Sequence, residues 1–465
     1  MNMINVRRLT VMTFLGAGML SGISAQVSPL QVDTLKETKI PDQWDLQSCI
    51  DYAKEQNITI RKNRITAVST QIDVKTAKAA MFPSLSFSTG QQVVNRPYQE
   101  TSSRVSGSEI ISSNSKTSYN GNYGLNASWT LYNGNKRLKT IQQEKLNNQM
   151  AELDVATSEN NIQESIAQVY IQILYAAESV KVNENTLQVS IAQRDRGQEL
   201  LNAGSIAKSD LAQLEAQVST DRYQLVTAQA TLEDYKLQLK QLLELDGENE
   251  MNIYLPALSD ENVLAPLPTK RDVYISALSL RPEIEASKLN VEASELGINI
   301  AKSSYFPTIS LSAGIGTNHT SGSDFTFGEQ VKNGWNNSIG LSVSVPIFNN
   351  RQTKSAVQKA KLQYETSMLS LLDEQKTLYK TIEGLWLDAN SAQQRYAAAN
   401  EKLKSTQISY ELISEQFNLG MKNTVELLTE KNNLLQAQQE QLQAKYMAIL
   451  NTQLLKFYQG DKLAL

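Results

Sequence analysis

Residues 382–430 read IEGLWLDANSAQQRYAAANEKLKSTQISYELISEQFNLGMKNTVELLTE. Apolar or small side chains fall at Ile382, Leu385, Ala389, Ala392, Tyr396, Ala399, Leu403, Thr406, Tyr410, Ile413 and Phe417, so steps of three and four alternate without a slip. A seven-residue period held that long lays one stripe of a helix against a partner and winds the two left-handedly. The run stops at Gly420, and Met421, Lys422, Asn423, Thr424, Val425 and Glu426 open a second helix with Asn and Thr available as caps. An ordinary antiparallel helical hairpin is equally compatible with the period alone. The arrangement, however, occurs twice.

Ala77 to Pro83 (Ala, Lys, Ala, Ala, Met, Phe, Pro) matches Ala301 to Pro307 (Ala, Lys, Ser, Ser, Tyr, Phe, Pro) at an offset of 224. Leu131, Tyr132, Asn133 matches Ile347, Phe348, Asn349, and Gly204 matches Gly420, both at an offset of 216. The eight-residue change falls between strands, where insertions are best tolerated. Ten prolines leave two long tracts untouched, Tyr98 to Leu255 and Ile347 to Leu465. Helices are expected at about 44–81, 135–202, 207–245, 271–305, 352–417 and 422–458, with strands at about 84–97, 118–132, 307–317 and 336–348. The fold class is therefore mostly α with a β part, built from a helix, two strands, a long helix, a glycine turn and a helix, duplicated. The first repeat spans 26–250, a linking segment 251–270, and the second repeat 271–465.

The N-terminus has the pattern of a secretory leader over residues 1–25. Arg7 and Arg8 precede an apolar run, Leu9 to Leu20, that is too short to span a bilayer, and small residues lead to Ala25. Formal charge is −4, from 44 Lys and Arg against 48 Asp and Glu, and loss of the two leader arginines makes it about −6. A mildly acidic exported chain is a poor nucleic-acid partner. The single cysteine, Cys49, excludes an internal disulfide, reads as a small core residue, and lies away from the cleavage site, so no lipid anchor is expected. No apolar run of about twenty residues follows the leader, so membrane contact must come from strands.

The expected strands alternate strictly. Tyr123, Leu125, Ala127, Trp129 and Leu131 oppose Gly124, Asn126, Ser128 and Thr130, and Ile339, Leu341, Val343, Val345 and Ile347 oppose Gly340, Ser342, Ser344 and Pro346. Leu85 and Phe87, and Ile309, Leu311, Ala313 and Ile315, supply their partners, joined by polar loops at about 99–118 and 317–334. Each pair has aromatic feet, with Phe82 and Phe306 before the first strand and Tyr132 and Phe348 at the end of the second. Strands with one apolar face could simply pack on the helices, as in a soluble protein, but aromatics at both feet of each hairpin resemble the girdle at the interface of an outer-membrane barrel and favour the membrane reading. Four strands cannot span lipid with open edges, because each unpaired backbone group costs several kcal/mol in hydrocarbon. Two copies give eight strands and a filled interior; three give twelve and a lumen lined by Ser, Gly, Asn and Thr. The helices fit the same plan, because two of about 57 Å laid end to end match one of roughly 100 Å.

With these residues in view, the chain resembles the outer-membrane efflux protein family, the TolC-like trimeric exit ducts. The resemblance rests on Phe82–Pro83, Phe306–Pro307, the strand exits through Tyr132–Asn133 and Phe348–Asn349, and the turn Phe417, Asn418, Leu419, Gly420 before Thr424 to Leu428. It implies a homotrimer with a twelve-stranded barrel in outer-membrane lipid, continuous with a periplasmic helical tunnel whose tip is closed at rest. It also implies a periplasmic adaptor and an inner-membrane pump as partners, in efflux or type I secretion. Family acidic positions that narrow the tip fall on Glu426 and on Thr429, a departure, with Glu430 one residue later. The two glutamates are four apart on one helix face, so three copies would present six carboxylates. Family links that hold the tip shut fall on Asp210 and Lys422, just past Gly204 and Gly420, while a family tyrosine aligns with Phe417, which has no hydroxyl to donate.

Enzymatic readings have little to stand on. The one histidine, His319, falls in an expected loop and leaves no His-rich metal site or acid–base pair, and Gly314, Ile315, Gly316 lacks the third glycine of a dinucleotide loop. No cofactor or metal is expected. A periplasmic coiled-coil scaffold or adhesin without a pore is the alternative, but it leaves the aromatic feet and the strand alternation unexplained. The transported cargo is not encoded in these features.

Overall fold

Both repeats begin with a helix that the chain interrupts at an equivalent residue. The computed structural model describes residues 41–98, 102–106, 109–113, 116–246, 251–256, 263–321, 323 and 325–463. The expected leader over 1–25 lies outside them, as do parts of the 99–118 loop and of the 251–270 linker. The first repeat runs α1 (Leu46–Gln56), α2 (Ile58–Ala79), β1 (Ser84–Asn95), β2 (Ser102–Ser106), β3 (Glu109–Ser113), β4 (Thr117–Asn133), α3 (Lys136–Asn202) and α4 (Lys208–Leu242). The second runs α5 (Lys270–Leu280), α6 (Pro282–Ser303), β5 (Thr308–Thr320), α7 (Phe327–Asn333), β6 (Asn336–Ser344), α8 (Gln352–Asn418) and α9 (Thr424–Gln459).

The single helices expected over 44–81 and 271–305 are thus two helices each, parted at Asn57 and Arg281, which the repeat places 224 residues apart. Asn57 accepts a hydrogen bond from the Thr59 amide (2.9 Å) and donates to the Leu242 carbonyl (3.0 Å), so its side chain caps α2 and ties it to the end of α4. Arg281 is held extended (φ −76°, ψ 124°) by Pro282, whose ring disfavours helical geometry in the residue before it.

The four long strands form one antiparallel sheet in the order β1-β4-β5-β6, so the two repeats meet between β4 and β5. Register places Phe87 opposite Leu125, Leu125 opposite Ile315, and Leu311 opposite Leu341, whereas Ser86, Asn126, Gly314 and Ser338 form a row on the other face. The apolar face is bare: Leu85 is 70% exposed and Ile339 83%. Strand β6 stops at Ser344, short of the expected 348, because Pro346 has no amide for the ladder. Three further elements form inside the expected loops: β2 and β3 pair as a ribbon, and α7 lies in the second loop, where Thr326 caps it and Glu329 reaches back to the Thr326 amide (2.8 Å).

All four expected aromatic feet lie at one end of this sheet. Trp129 donates its indole N–H to the Met81 carbonyl (2.8 Å), tying β4 to the foot of β1. Gly134, at φ +66°, turns β4 toward α3 so closely that a Cβ there would lie 2.9 Å from Cβ of Phe306, which is why the exit turn carries a glycine. The helices pack as α3 with α4 and α8 with α9, and α9 also touches α3. Ile382, Ala389, Ala392, Tyr396, Ala399 and Phe417 of the α8 stripe are buried. Cys49 is fully buried beside Trp44 and Tyr170, and burial pushes its thiol up to about 12.

Candidate functional site

The two hairpins end in matched turns. Gly204 (φ +72°) and Gly420 (φ +73°) are left-handed, and the next amide closes each helix: Ser205 N–H donates to Leu200 O and Met421 N–H to Gln416 O, both at 2.8 Å. This six-to-one bond satisfies a carbonyl left over at the helix end and reverses the chain in a few residues.

Beyond Gly420, Asn423 caps α9 by accepting from the Glu426 amide (2.9 Å), and the Glu426 carboxylate accepts in return from the Asn423 amide (3.2 Å). Lys422 Nζ sits 2.6 Å from Glu426 Oε1. The hydrogen bond from Lys422, then that from Asn423, lowers the Glu426 pKa below the ordinary carboxylate range. Asp210 is the repeat equivalent of Glu426 and does the same for α4, accepting from the Ala207 amide at 3.0 Å. Within one chain, therefore, Asp210 and Lys422 do not meet: each is engaged at its own helix start. Glu430 accepts from Ser409 Oγ of α8 (3.1 Å), and Thr429 turns its hydroxyl to the Val425 carbonyl (2.8 Å).

One helical step from the turns, Phe417, Leu214 and Leu427 are buried together, with Leu200, Tyr410 and Leu428 packed around them. This cluster joins α3 and α4 to α8 and α9 by apolar contact. The next layer is polar. Lys431 of α9, 3% exposed, donates to Asp221 of α4 and Ser190 of α3, and Asp221, 1% exposed, also accepts from Gln217 (2.9 Å). Burial lowers the Lys431 pKa, against the hydrogen bond and charge of Asp221, which raise it. Sequence reading missed this clamp, although a signal exists. Lys431 follows Thr424 and Leu427 on the buried stripe of α9, and Asp221 follows Leu211, Leu214 and Val218 on that of α4, so each is a charge at an apolar position.

The Ser190 hydroxyl that the clamp holds against Asp221 and Lys431 is itself buried, closed off from any solute, and no cluster of three His, Cys, Asp or Glu able to hold a metal occurs among the described residues. The chemistry of the arrangement is that of two hairpin tips held together by one apolar and one charged layer.

The family model for outer membrane efflux proteins matches residues 49–244 and 273–460. Among individual proteins, the chain is 24% identical over 294 residues to the outer membrane efflux protein BepC of Brucella suis biovar 1 (strain 1330), covering 63% of this chain and 61% of that one. It is also 24% identical to the outer membrane protein TolC of Escherichia coli (strain K12), covering 61% of this chain and 58% of that one. These matches span about six tenths of the relatives' length. The fold is similar to that of CusC, with a TM-score of 0.75 at 19% identity, covering 90% of this chain and 92% of the other.

Proposed function

The chain belongs to the outer membrane efflux protein family, and we propose that three copies of it form a gated exit duct, a twelve-stranded barrel in the outer membrane continuous with a helical tunnel in the periplasm. The observation that carries this reading is the sheet β1-β4-β5-β6, with a bare apolar face, a polar opposite face, and edges at β1 and β6 that no described strand covers. In lipid such edges must be closed, and three copies close them around a polar lumen. Apolar residues of α8 that the described residues leave largely exposed, Leu362 (62% exposed) and Leu369 (67%) among them, are the matching contacts between copies in the tunnel. An adaptor protein and an inner-membrane pump complete the path, and the pump, not the duct, selects the cargo.

In this proposal the tips converge at an aperture lined by Glu426, Thr429 and Glu430. Closure within one chain rests on the packing of Phe417, and a latch between Asp210 and Lys422 joins neighbouring copies. Planar-bilayer recording on the purified protein tests the duct: discrete ohmic steps are expected, and a protein that inserts without conducting, even after its tips are loosened by Phe417→Ala, would refute it. The same recordings read the aperture's charge. Because Lys422 neutralises Glu426, Lys422→Met is expected to uncover a ring of carboxylates and raise cation over anion permeability, whereas Glu426→Gln leaves the lysines and shifts it the other way. Equal selectivity in the two variants would place both residues away from the ion path.

A further inference from the structure

We propose that α7, with the aromatic side chains that flank it, is a lipid anchor that seats in the headgroup region of the outer leaflet; the inference rests on the barrel reading above. The first observation is the face on which α7 lies. Tyr119 and Tyr123 of β4 and Thr317 and His319 of β5 share the parity of Leu125, Leu311 and Ile315, the apolar face of the sheet. The His319 ring stacks on Tyr123 (6.0 Å between centroids), approaches Tyr119 (5.2 Å) and meets the edge of Phe327 at the start of α7 (5.0 Å). Thr317 Oγ1 donates to the Val331 carbonyl (2.7 Å), and the Gln330 side chain accepts from the Thr320 amide (2.8 Å). The helix is thus fastened to Thr317 and His319, residues with the parity of the outward face.

The second observation is what α7 leaves uncovered. Phe325, Phe327 and Trp335 are 51%, 46% and 58% exposed, and Lys332 is exposed beside them. Three aromatics bared to water are unfavourable, whereas at a membrane interface the amphipathic ring of tryptophan and the aliphatic stem of lysine are both accommodated.

Height is the third. Eleven residues separate the aromatic foot Phe306 from Thr317, where α7 is fastened. At about 3.3 Å per residue and a tilt of about 40°, that interval rises roughly 28 Å, close to the ~25 Å apolar band of an outer-membrane barrel. The feet mark one boundary of the hydrocarbon, and α7 with Trp335 marks the other.

The test uses the full-length assembled protein in phospholipid vesicles whose acyl chains carry bromine near the glycerol end, which quenches tryptophans in contact with them. Of the four tryptophans, Trp129 and Trp335 belong to the sheet region, whereas Trp44 is buried and Trp386 half-buried among the helices. Trp335→Phe is expected to remove about half of the lipid-quenched emission, and Phe325→Trp in that background to restore it. Trp129→Phe is expected to remove the rest. If Trp335→Phe leaves the lipid-quenched part unchanged while Trp129→Phe abolishes it, the anchor is overturned and the barrel stands. The anchor falls in that case whether Trp335 is then quenched by aqueous iodide, as in a free loop, or by neither agent, as in a loop packed on a neighbouring copy. If neither substitution changes lipid quenching, the barrel reading falls together with the anchor.

Discussion

Lys431→Met is expected to be among the most destabilising single substitutions in the chain, at about 3–5 kcal/mol, because it leaves the Asp221 carboxylate buried with no cation. Asp221→Leu is expected to do the same from the other side, leaving the buried Lys431 ammonium group with the Ser190 hydroxyl but without its carboxylate. The pair replaced together should recover most of the loss, since two apolar side chains of similar volume avoid the desolvation that both charges suffer. Thermal melting of the detergent-solubilised protein, followed by circular dichroism, reads all three variants. Limited proteolysis adds location, with cleavage rising near the turns at Gly204 and Gly420 in the single variants only. A double variant as unstable as either single would mean that Lys431 and Asp221 contribute separately, not as a clamp.

The second large effect is expected at Phe417. Its ring fills the contact between the hairpins with Leu214 and Leu427, so Phe417→Ala removes a buried aromatic and leaves a cavity, a loss of about 3–5 kcal/mol at a layer that holds the tips together. If apolar packing closes the aperture, this variant should show a larger single-channel conductance or open probability than the parent. Phe417→Leu, which keeps most of the volume, should fall between them. Lower melting without any change in conductance would separate the packing of the tips from the gate.

Much of the architecture was legible because duplication lets two separate segments report on the same element. The stripe from Ile382 to Phe417, the turns at Gly204 and Gly420 and the alternation around Leu125 and Ile339 are periodic signals, and the fold follows such periods closely. The breaks at Asn57 and Arg281 were harder to see, since the helical pattern continues on both sides. Yet Pro282 marks one of them by its effect on the preceding residue, and only the repeat transfers that break to Asn57, where no proline stands. Helix α7 was hidden by composition: a stretch rich in Gly, Ser and Asn reads as a loop, although Thr326 and Glu329 carry the spacing of a capping box.

The site was less legible than the fold. The family pattern drew Asp210 and Lys422 together because both follow a glycine turn, but Asp210 stands at the repeat equivalent of Glu426. Within one chain each carboxylate satisfies an amide at its own helix start, so the proposed latch between Asp210 and Lys422 has to form between neighbouring copies. Lys431 and Asp221 went unread for the opposite reason. A charge on a helical stripe ordinarily signals a solvated face, and only the crossing of α9 against α3 and α4 shows that these two are buried against each other.

The stoichiometry of the detergent-extracted particle tests the duct most directly, because it decides whether the open edges of β1 and β6 are closed by the number of chains that leaves a lumen. Native mass measurement of the outer-membrane fraction is expected to give three chains per particle. A particle of one or two chains as the sole species would contradict the barrel and the tunnel together.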